Sequence, residues 1–242
     1  MERKSWVSTF IFASIAVSIP VQVMALSPEW YSINIHNPYV GFDVQERRMA
    51  FKEGFGDNLL HRTSPQGNIY AGILLNEHVG VEAGYEATRT RSRTATLVAG
   101  ELSGGVPIPV GMSPATFRSN IKIQGPHLGL VAYLPICEIC CPFEWYGYIG
   151  AARFKATAER STLAFGPAGT PGLTRKLSAR KTIVRAALGI QYKWTERVSL
   201  RGTVAWAGTR RIIIHANDTL NNPPEFKPMV SVAYGLGALW NF

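Results

Sequence analysis

Large apolar and small or polar side chains alternate along this chain with a period of two rather than 3.6. The last segment is the plainest case. Phe242, Trp240, Ala238, Leu236, Tyr234, Val232 and Val230 share one parity, while Asn241, Leu239, Gly237, Gly235, Ala233, Ser231 and Met229 share the other. Successive side chains of a β-strand point to opposite faces. The segment therefore predicts a strand with one bulky apolar side and one crowded side of mostly small groups. Elsewhere Val79, Val81, Ala83 and Tyr85 alternate with Gly80, Glu82, Gly84 and Glu86. Leu188, Ile190, Tyr192 and Trp194 alternate with Ala187, Gly189, Gln191 and Lys193, and Val198, Leu200, Val204 and Trp206 with Ser199, Arg201, Thr203 and Ala205. The pattern predicts an all-β chain with strands near 38–51, 67–76, 78–92, 118–135, 143–157, 181–194, 197–213 and 228–242.

Alternation alone suits a water-soluble sandwich as well as a barrel that turns its bulky face to lipid. The connections separate the two. Asn76-Glu77-His78 and Thr195-Glu196-Arg197 are tight links and Pro135 to Pro142 is of medium length, whereas 52–66, 93–117, 158–180 and 214–227 are long and rich in Gly, Pro, Ser and Thr. Short turns alternating with long loops are the layout of an eight-stranded antiparallel up-and-down transmembrane β-barrel, with both chain ends on the periplasmic side. Gly72 and Ile73 precede one tight turn as Gly189 and Ile190 precede another, a weak repeat whose unit is the hairpin.

The start of the chain sets the compartment. Glu2, Arg3 and Lys4 lead into an almost uncharged run from Trp6 to Ala25, with Pro20 inside it and Val23-Met24-Ala25 at its end. This reads as a secretory signal over 1–25, cleaved after Ala25, and it leaves a barrel domain over 26–242. An uncleaved membrane anchor is the other reading of the same run, and Pro20 with the cleavage signature disfavours it. No later stretch is long and apolar enough for a membrane helix.

Composition adds a partner class. The chain has 242 residues, 25 Lys and Arg against 16 Asp and Glu, and a formal charge of +9, nearly all of which survives loss of the leader. Such an excess suits anionic partners, and an exported chain meets membrane phosphates far more often than nucleic acid.

Three stretches carry a family resemblance. YAGILLNEHVGVEAGYE over 70–86 resembles the second hairpin of the OmpA-type transmembrane-barrel family, and GIQYKWTERVSLRGTVAW over 189–206 resembles its sixth and seventh strands. The ending GALWNF, with Gly237, Trp240 and Phe242, resembles the assembly signal by which such barrels engage the barrel-assembly machinery. The resemblance implies charged side chains packed inside a barrel that is closed or narrowly gated. Glu82 and Arg201 match the family's interior acid and base, whereas Gln191 stands where the family has a second acid and the apolar Val131 near its lysine. Counting by parity adds Asp43, Glu144, Arg185 and Lys193, giving a lumen cluster of Asp43, Glu82, Glu144, Arg185, Gln191, Lys193 and Arg201. The plain reading of this cluster is mutual neutralisation, because an unpaired charge is costly at low dielectric; a gated pore is the alternative.

Other residues suggest chemistry at the outer rim. Arg89, Arg91 and Arg93 follow Tyr85 with outward parity, provided no bulge intervenes. A tilted strand climbs roughly 2.5 Å per residue along the membrane normal, which lifts Arg89 about 25 Å above the turn, the height of the apolar band. The same count brings Arg153, Lys155 and Arg210 to that level. The expectation is a basic belt facing lipopolysaccharide, because guanidinium groups grip phosphate in bidentate fashion.

Cys137, Cys140 and Cys141 share the medium turn. A local disulfide with one thiol over suits an oxidising compartment, with free thiols or an intermolecular bridge as alternatives, and Cys-x-x-Cys alone is a weak metal signal. The histidines are scattered: His36 before the first strand, His78 in a tight turn, His61 and His215 in loops, and His127 pointing inward. They form no Ser-His or Asp-His grouping of the kind barrel hydrolases need. The expectation is a non-enzymatic outer-membrane protein without cofactor or metal, held in lipid and lipopolysaccharide, with no nucleic-acid partner. Trp145, Trp194, Trp240 and Phe242 would anchor its periplasmic edge, and its long loops would face outward for adhesion or host contact. A narrow gated pore and a soluble periplasmic ligand-binding barrel are the rival readings.

Overall fold

The structure is a computed structural model that describes residues 36–53, 58–103, 106–136, 142–166, 168, 172, 174–209, 212–215 and 224–242. The proposed signal over 1–25, Cys137, Cys140, Cys141 and Arg210 lie outside the described residues. The strands of the main sheet are β1 His36–Phe51, β2 Thr63–Leu74, β3 Val79–Thr88, β4 Arg91–Leu97, β5 Ala115–Pro135, β6 Phe143–Phe165, β7 Thr174–Lys193, β8 Val198–Ala207 and β9 Pro228–Asn241, and two short hairpin ladders of two or three residues per strand lie in the loops. Each pairs antiparallel with its sequence neighbour, β3 and β4 lie end to end along β5, and β9 returns to pair with β1. The nine segments thus make eight staves of a closed ring, the fold class expected from the period and the connections.

Two of the turn-side links use the same device. Asn76 Oδ1 accepts the backbone N–H groups of His78 (2.9 Å) and Val79 (2.7 Å). Thr195 Oγ1 accepts those of Arg197 (3.3 Å) and Val198 (3.0 Å). A short polar side chain that bonds the backbone two and three residues on closes a turn locally, which is why these links read so clearly in the sequence.

The strands outrun expectation on the loop side. β6 runs to Phe165 instead of ending near 157, and β7 begins at Thr174 rather than 181. With β4 and the first half of β5 they extend the sheet beyond the end of β8 at Ala207. The inner face of this raised part carries Leu97, Phe117, Ile121, Ile123, Ala156, Ala158 and Leu177, all buried. Leu59 and Leu60 from the first loop and Ile212, Ile214 and Phe226 from the last belong to the same buried cluster. Burying this apolar face stabilises what loop composition alone does not reveal.

One register slip alters the rim. Ala87 pairs with Gln124, but Arg91 pairs with Ile121, so one extra residue enters between β3 and β4. Such a bulge reverses parity for everything after it. Thr88 is buried at an even position, whereas Leu97 is buried at an odd one. The buried Thr88 hydroxyl bridges the slip, accepting the Ile123 N–H (2.8 Å) and lying 3.2 Å from the Ile123 carbonyl, to which it donates. Arg91 and Arg93 therefore lack the outward parity expected of them.

The lower interior is set by tyrosine facing glycine. Tyr39 pairs across β1 and β2 with Gly72, and Gly41 with Tyr70. A Cβ on Gly72 would run into the Tyr39 ring, and one on Gly41 into the Tyr70 ring. Gly41→Val or Gly72→Val should each destabilise the barrel by roughly 1–3 kcal/mol through overpacking. Urea unfolding followed by tryptophan emission measures this, and an unchanged midpoint for both variants would contradict the packing described.

Candidate functional site in the barrel interior and at the rim

The interior charges are tied across the ring. β8 lies four staves from β3, directly opposite, and Arg201 on β8 reaches Glu82 on β3 with Nη1 3.1 Å from Oε2. Glu82 also accepts the hydroxyls of Tyr39 (3.1 Å) and Tyr146 (3.4 Å). Arg201 Nη2 donates to the Tyr133 hydroxyl (2.7 Å) and to Gln191 Oε1 (3.4 Å), and its guanidinium carbon sits 3.8 Å from the centroid of the Tyr146 ring. A desolvated cation over an aromatic face gains from the ring quadrupole, so the tyrosines here serve as walls and as hydrogen-bond donors together.

A second knot lies two pleats further toward the loops. Glu86 accepts Arg47 Nη2 from β1 at 2.7 Å and Arg185 Nε from β7. Arg47 also donates to Ser231 Oγ (2.6 Å) and to Gln66. Arg185 lies over Tyr148 and Arg47 over Phe154. Asp43 is held by dipoles instead, accepting from Gln45 Nε2, Asn68 Nδ2 and the Tyr70 hydroxyl, each at 3.1 Å. His127, facing inward as expected, spans Asn68 Oδ1 (2.9 Å) and the Tyr148 hydroxyl (3.2 Å). Among the described residues three guanidiniums (Arg47, Arg185, Arg201) and three carboxylates (Asp43, Glu82, Glu86) are buried, so their formal charges cancel.

Asp43, Glu82, Arg185, Gln191 and Arg201 of the expected cluster are thus buried in the interior. Glu144 and Lys193 form their own ion pair at 2.5 Å near the turn-side mouth, where the Lys193 side chain is 54% exposed. They line a cavity of about 720 Å3 that also touches Tyr39, Tyr133 and Gln191. Arg47 and Glu86 were absent from the expected cluster, although parity with Asp43 and Glu82 was the signal that finds them.

The rim residues separate. Arg89 is exposed at the bulge and Arg91 is exposed beyond it, whereas Arg93 is partly buried and Nη1 donates to the Leu60 carbonyl (3.1 Å). Arg153 and Lys155 face outward from β6. At the C-terminal end Gly237 pairs with Asp43 on β1, and Trp240 and Phe242 are exposed. Among the other histidines, His61 Nε2 lies 3.1 Å from the Ser92 carbonyl, and the side chains of His36 and His215 lie outside the described residues.

The outer surface is the inverse of the interior. Val40, Phe42 and Val44 on β1, Ile69 on β2, Leu128 and Leu130 on β5, Ile149 on β6, Val184 and Leu188 on β7, Leu200 and Val204 on β8 and Leu236 on β9 are all exposed, Val44 by 66% and Leu236 by 75%. Closed ring, neutral polar interior and apolar exterior define an inside-out β-barrel. Solved barrels of bacterial outer-membrane proteins are similar to it. The attachment invasion locus protein Ail of Yersinia pestis, solved with the heparin analogue sucrose octasulfate, matches at 14% identity and a TM-score of 0.47 over 85% of this chain and 98% of its own. Neisserial surface protein A matches at 11% and 0.48 over 86% and 99%, and the N-terminal barrel domain of Pseudomonas aeruginosa OprF at 12% and 0.41 over 86% and 100%. No protein-family model matches the chain, and no curated protein does.

The Glu82–Arg201 tie gives a direct test. Arg201→Met leaves Glu82 buried without its cation and should cost about 3–5 kcal/mol, whereas adding Glu82→Gln should recover a large part of that loss. Urea unfolding of the two single variants and the double variant in lipid vesicles measures the coupling; strict additivity would mean the pair does not act as a unit.

Proposed function

We propose that this chain is an integral outer-membrane β-barrel with a structural and surface-exposed role, and that it is not an enzyme. One observation carries the reading: a band of exposed Val, Leu, Ile, Phe and Trp surrounds a closed barrel whose interior holds buried ion pairs. Monomeric soluble proteins rarely expose an apolar patch of that extent. A lipid core that offers no hydrogen bonds demands both the closed ring and the apolar exterior. Both termini then lie on the periplasmic side after loss of the leader over 1–25. The exposed Trp145, Trp194, Trp240 and Phe242 sit at the lower interface, and Gly237, Trp240 and Phe242 serve the assembly machinery. The raised sheet and long loops face the exterior, where they are available for adhesion to a host surface ligand, and the outward rim cations meet lipopolysaccharide. Of the three turn-side cysteines, two join in a local disulfide.

The neutral knots and the apolar cluster above them support a lumen closed to bulk solute. A second reading, a narrow gated pore, draws on the turn-side cavity, whose lining includes Tyr39 and Tyr133, the tyrosines hydrogen-bonded to the Glu82–Arg201 pair. Planar-bilayer recording separates the two. A closed barrel gives no discrete steps in the wild type, whereas a gated pore gives steps that Glu82→Ala or Arg201→Ala enlarges.

Detergent extraction with heat-modifiable gel mobility tests the barrel itself. The chain should remain with the membrane fraction until detergent is added, and the unboiled form should run faster than the boiled one. A mature chain that is monodisperse and folded in detergent-free buffer would overturn the reading in favour of a soluble periplasmic barrel.

A further inference from the structure

Among the described residues the outward basic residues are unevenly distributed around the rim. On β1 the outward positions beyond the apolar band are Glu46 and Arg48, and both are engaged by Tyr234: its hydroxyl donates to Glu46 Oε2 (3.1 Å) and its ring lies under Arg48. On β2 those positions are Gly67 and Pro65, and β8 gives way to Gly208. Among the described residues, apart from the exposed Arg89 at the bulge, the outward cations left over gather on one sector, β5 to β7.

There Lys155 on β6 stands directly opposite Arg180 on β7. Arg153 is the next outward residue on β6 and pairs with Thr182, one step diagonal from Arg180. Lys122 on β5 pairs with Thr157, one step diagonal from Lys155. Directly opposed residues have Cβ atoms about 4.5–5.5 Å apart, and diagonal ones about 7–8 Å. Like charges directly opposite destabilise a sheet, and none of these four cations makes an ion pair or hydrogen bond among the described residues. Glu159, further up β6, is already opposite Lys176 and accepts from Asn120 (3.4 Å). Folding therefore gains nothing from the cluster.

We propose that Lys122, Arg153, Lys155 and Arg180 form one site for the phosphorylated saccharide headgroup of an outer-leaflet glycolipid. The proposal rests on the membrane reading above and replaces its rim belt by a single sector, with Lys122 and Arg180 as new members. Position argues for a lipid-borne ligand. Arg153 comes directly after the exposed Ala151 on the outward face of β6, and Arg180 and Thr182 follow the exposed Val184 on β7. An amphiphile lying there keeps its acyl chains on the apolar band while its phosphates meet the cations. The two guanidiniums offer bidentate geometry, and the two ammonium groups act as point charges. Gln124, Thr157, Ser178 and Thr182 surround the cluster with neutral donors and acceptors suited to sugar hydroxyls.

The test uses the mature barrel folded in phosphatidylcholine nanodiscs, with heat-modifiable mobility confirming the fold of every sample. If that mobility shift is absent in the wild type, the membrane reading fails before the site is tested. Phosphorylated lipopolysaccharide should raise the Tm of the wild type, and enzymatically dephosphorylated lipopolysaccharide should not. The variant K122Q/R153Q/K155Q/R180Q should bind the phosphorylated form at least roughly tenfold more weakly, the loss of about one charge-assisted contact or more. The milder K122Q/R180Q should fall between, and R118Q/K176Q, higher on the same face, should match the wild type. Equal binding of both lipopolysaccharide forms by the wild type would overturn the proposal even if the quadruple variant does not fold. So would equal affinity of wild type and quadruple variant. Tighter, cluster-dependent binding of soluble heparin than of lipopolysaccharide would also overturn it, by assigning the sector to a soluble polyanion.

Discussion

Closure of the sheet is the constraint on which the rest of this structure depends. A sheet that ends leaves a row of unpaired N–H and C=O groups on each edge strand, and a ring has no edge. Here the closure is made by β1 against β9 in an unbroken register from Tyr39 with Asn241 to Ala50 with Val230. Once the ring is closed, period-two alternation assigns every residue to the inside or the outside. The two sides then face opposite demands. Outside, large apolar groups accumulate on every stave; inside, whatever polar group a stave contributes must be satisfied by another stave.

The interior meets that demand by balancing charge locally as well as in total. Glu86 takes two guanidiniums, Glu82 takes one with two tyrosine hydroxyls, and Asp43 takes none but has three hydrogen-bond donors. The partners come from different staves, so each knot is also a strut across the lumen. Tyrosine is the common filler because one ring supplies apolar bulk, a cation-binding face and a hydroxyl. Inward glycines opposite Tyr39 and Tyr70 make room for those rings. Toward the loops the same interior turns apolar, and loop residues such as Leu60 and Ile212 take over the filling.

Much of this was legible in the chain and some was not, for identifiable reasons. Parity and turn chemistry are local, so the hairpins at Asn76 and Thr195, the inward setting of Glu82, Arg185, Gln191 and Arg201, and the outward setting of Arg153 follow from a few consecutive residues. The bulge after Thr88 is a one-residue event whose reason is tertiary: the Thr88 hydroxyl replaces a ladder partner at Ile123. No composition rule places it, and every parity assignment downstream of it inverts. The extension of β6 and β7 was hidden differently. Ser, Thr and charged residues over 158–180 resemble loop composition, and the inner face that orders them is covered by residues from two distant loops. Arg47 and Glu86 share the inward parity of Asp43 and Glu82 and belong to the same buried set.

The raised sheet shows where stability and function separate. Its inner face is explained by packing: Phe117, Ile121, Ala158 and Leu177 have apolar neighbours and lose water together. Its outer face is not explained in that way. Glu159 opposite Lys176 is a pairing that favours the fold, whereas Lys155 opposite Arg180, with Arg153 and Lys122 beside them, opposes it. Solvent and salt reduce that repulsion without reversing it. Since the buried charges among the described residues cancel three against three, a cluster of four unpaired cations on a single outward sector departs from the balance the interior keeps. An anionic ligand supplies the missing half of that balance, and the adjoining apolar band limits which anions can also satisfy the surface beneath. The same alternation that forces neutrality on the inside leaves the outside free to depart from it, and there the departure can serve binding without opening the ring.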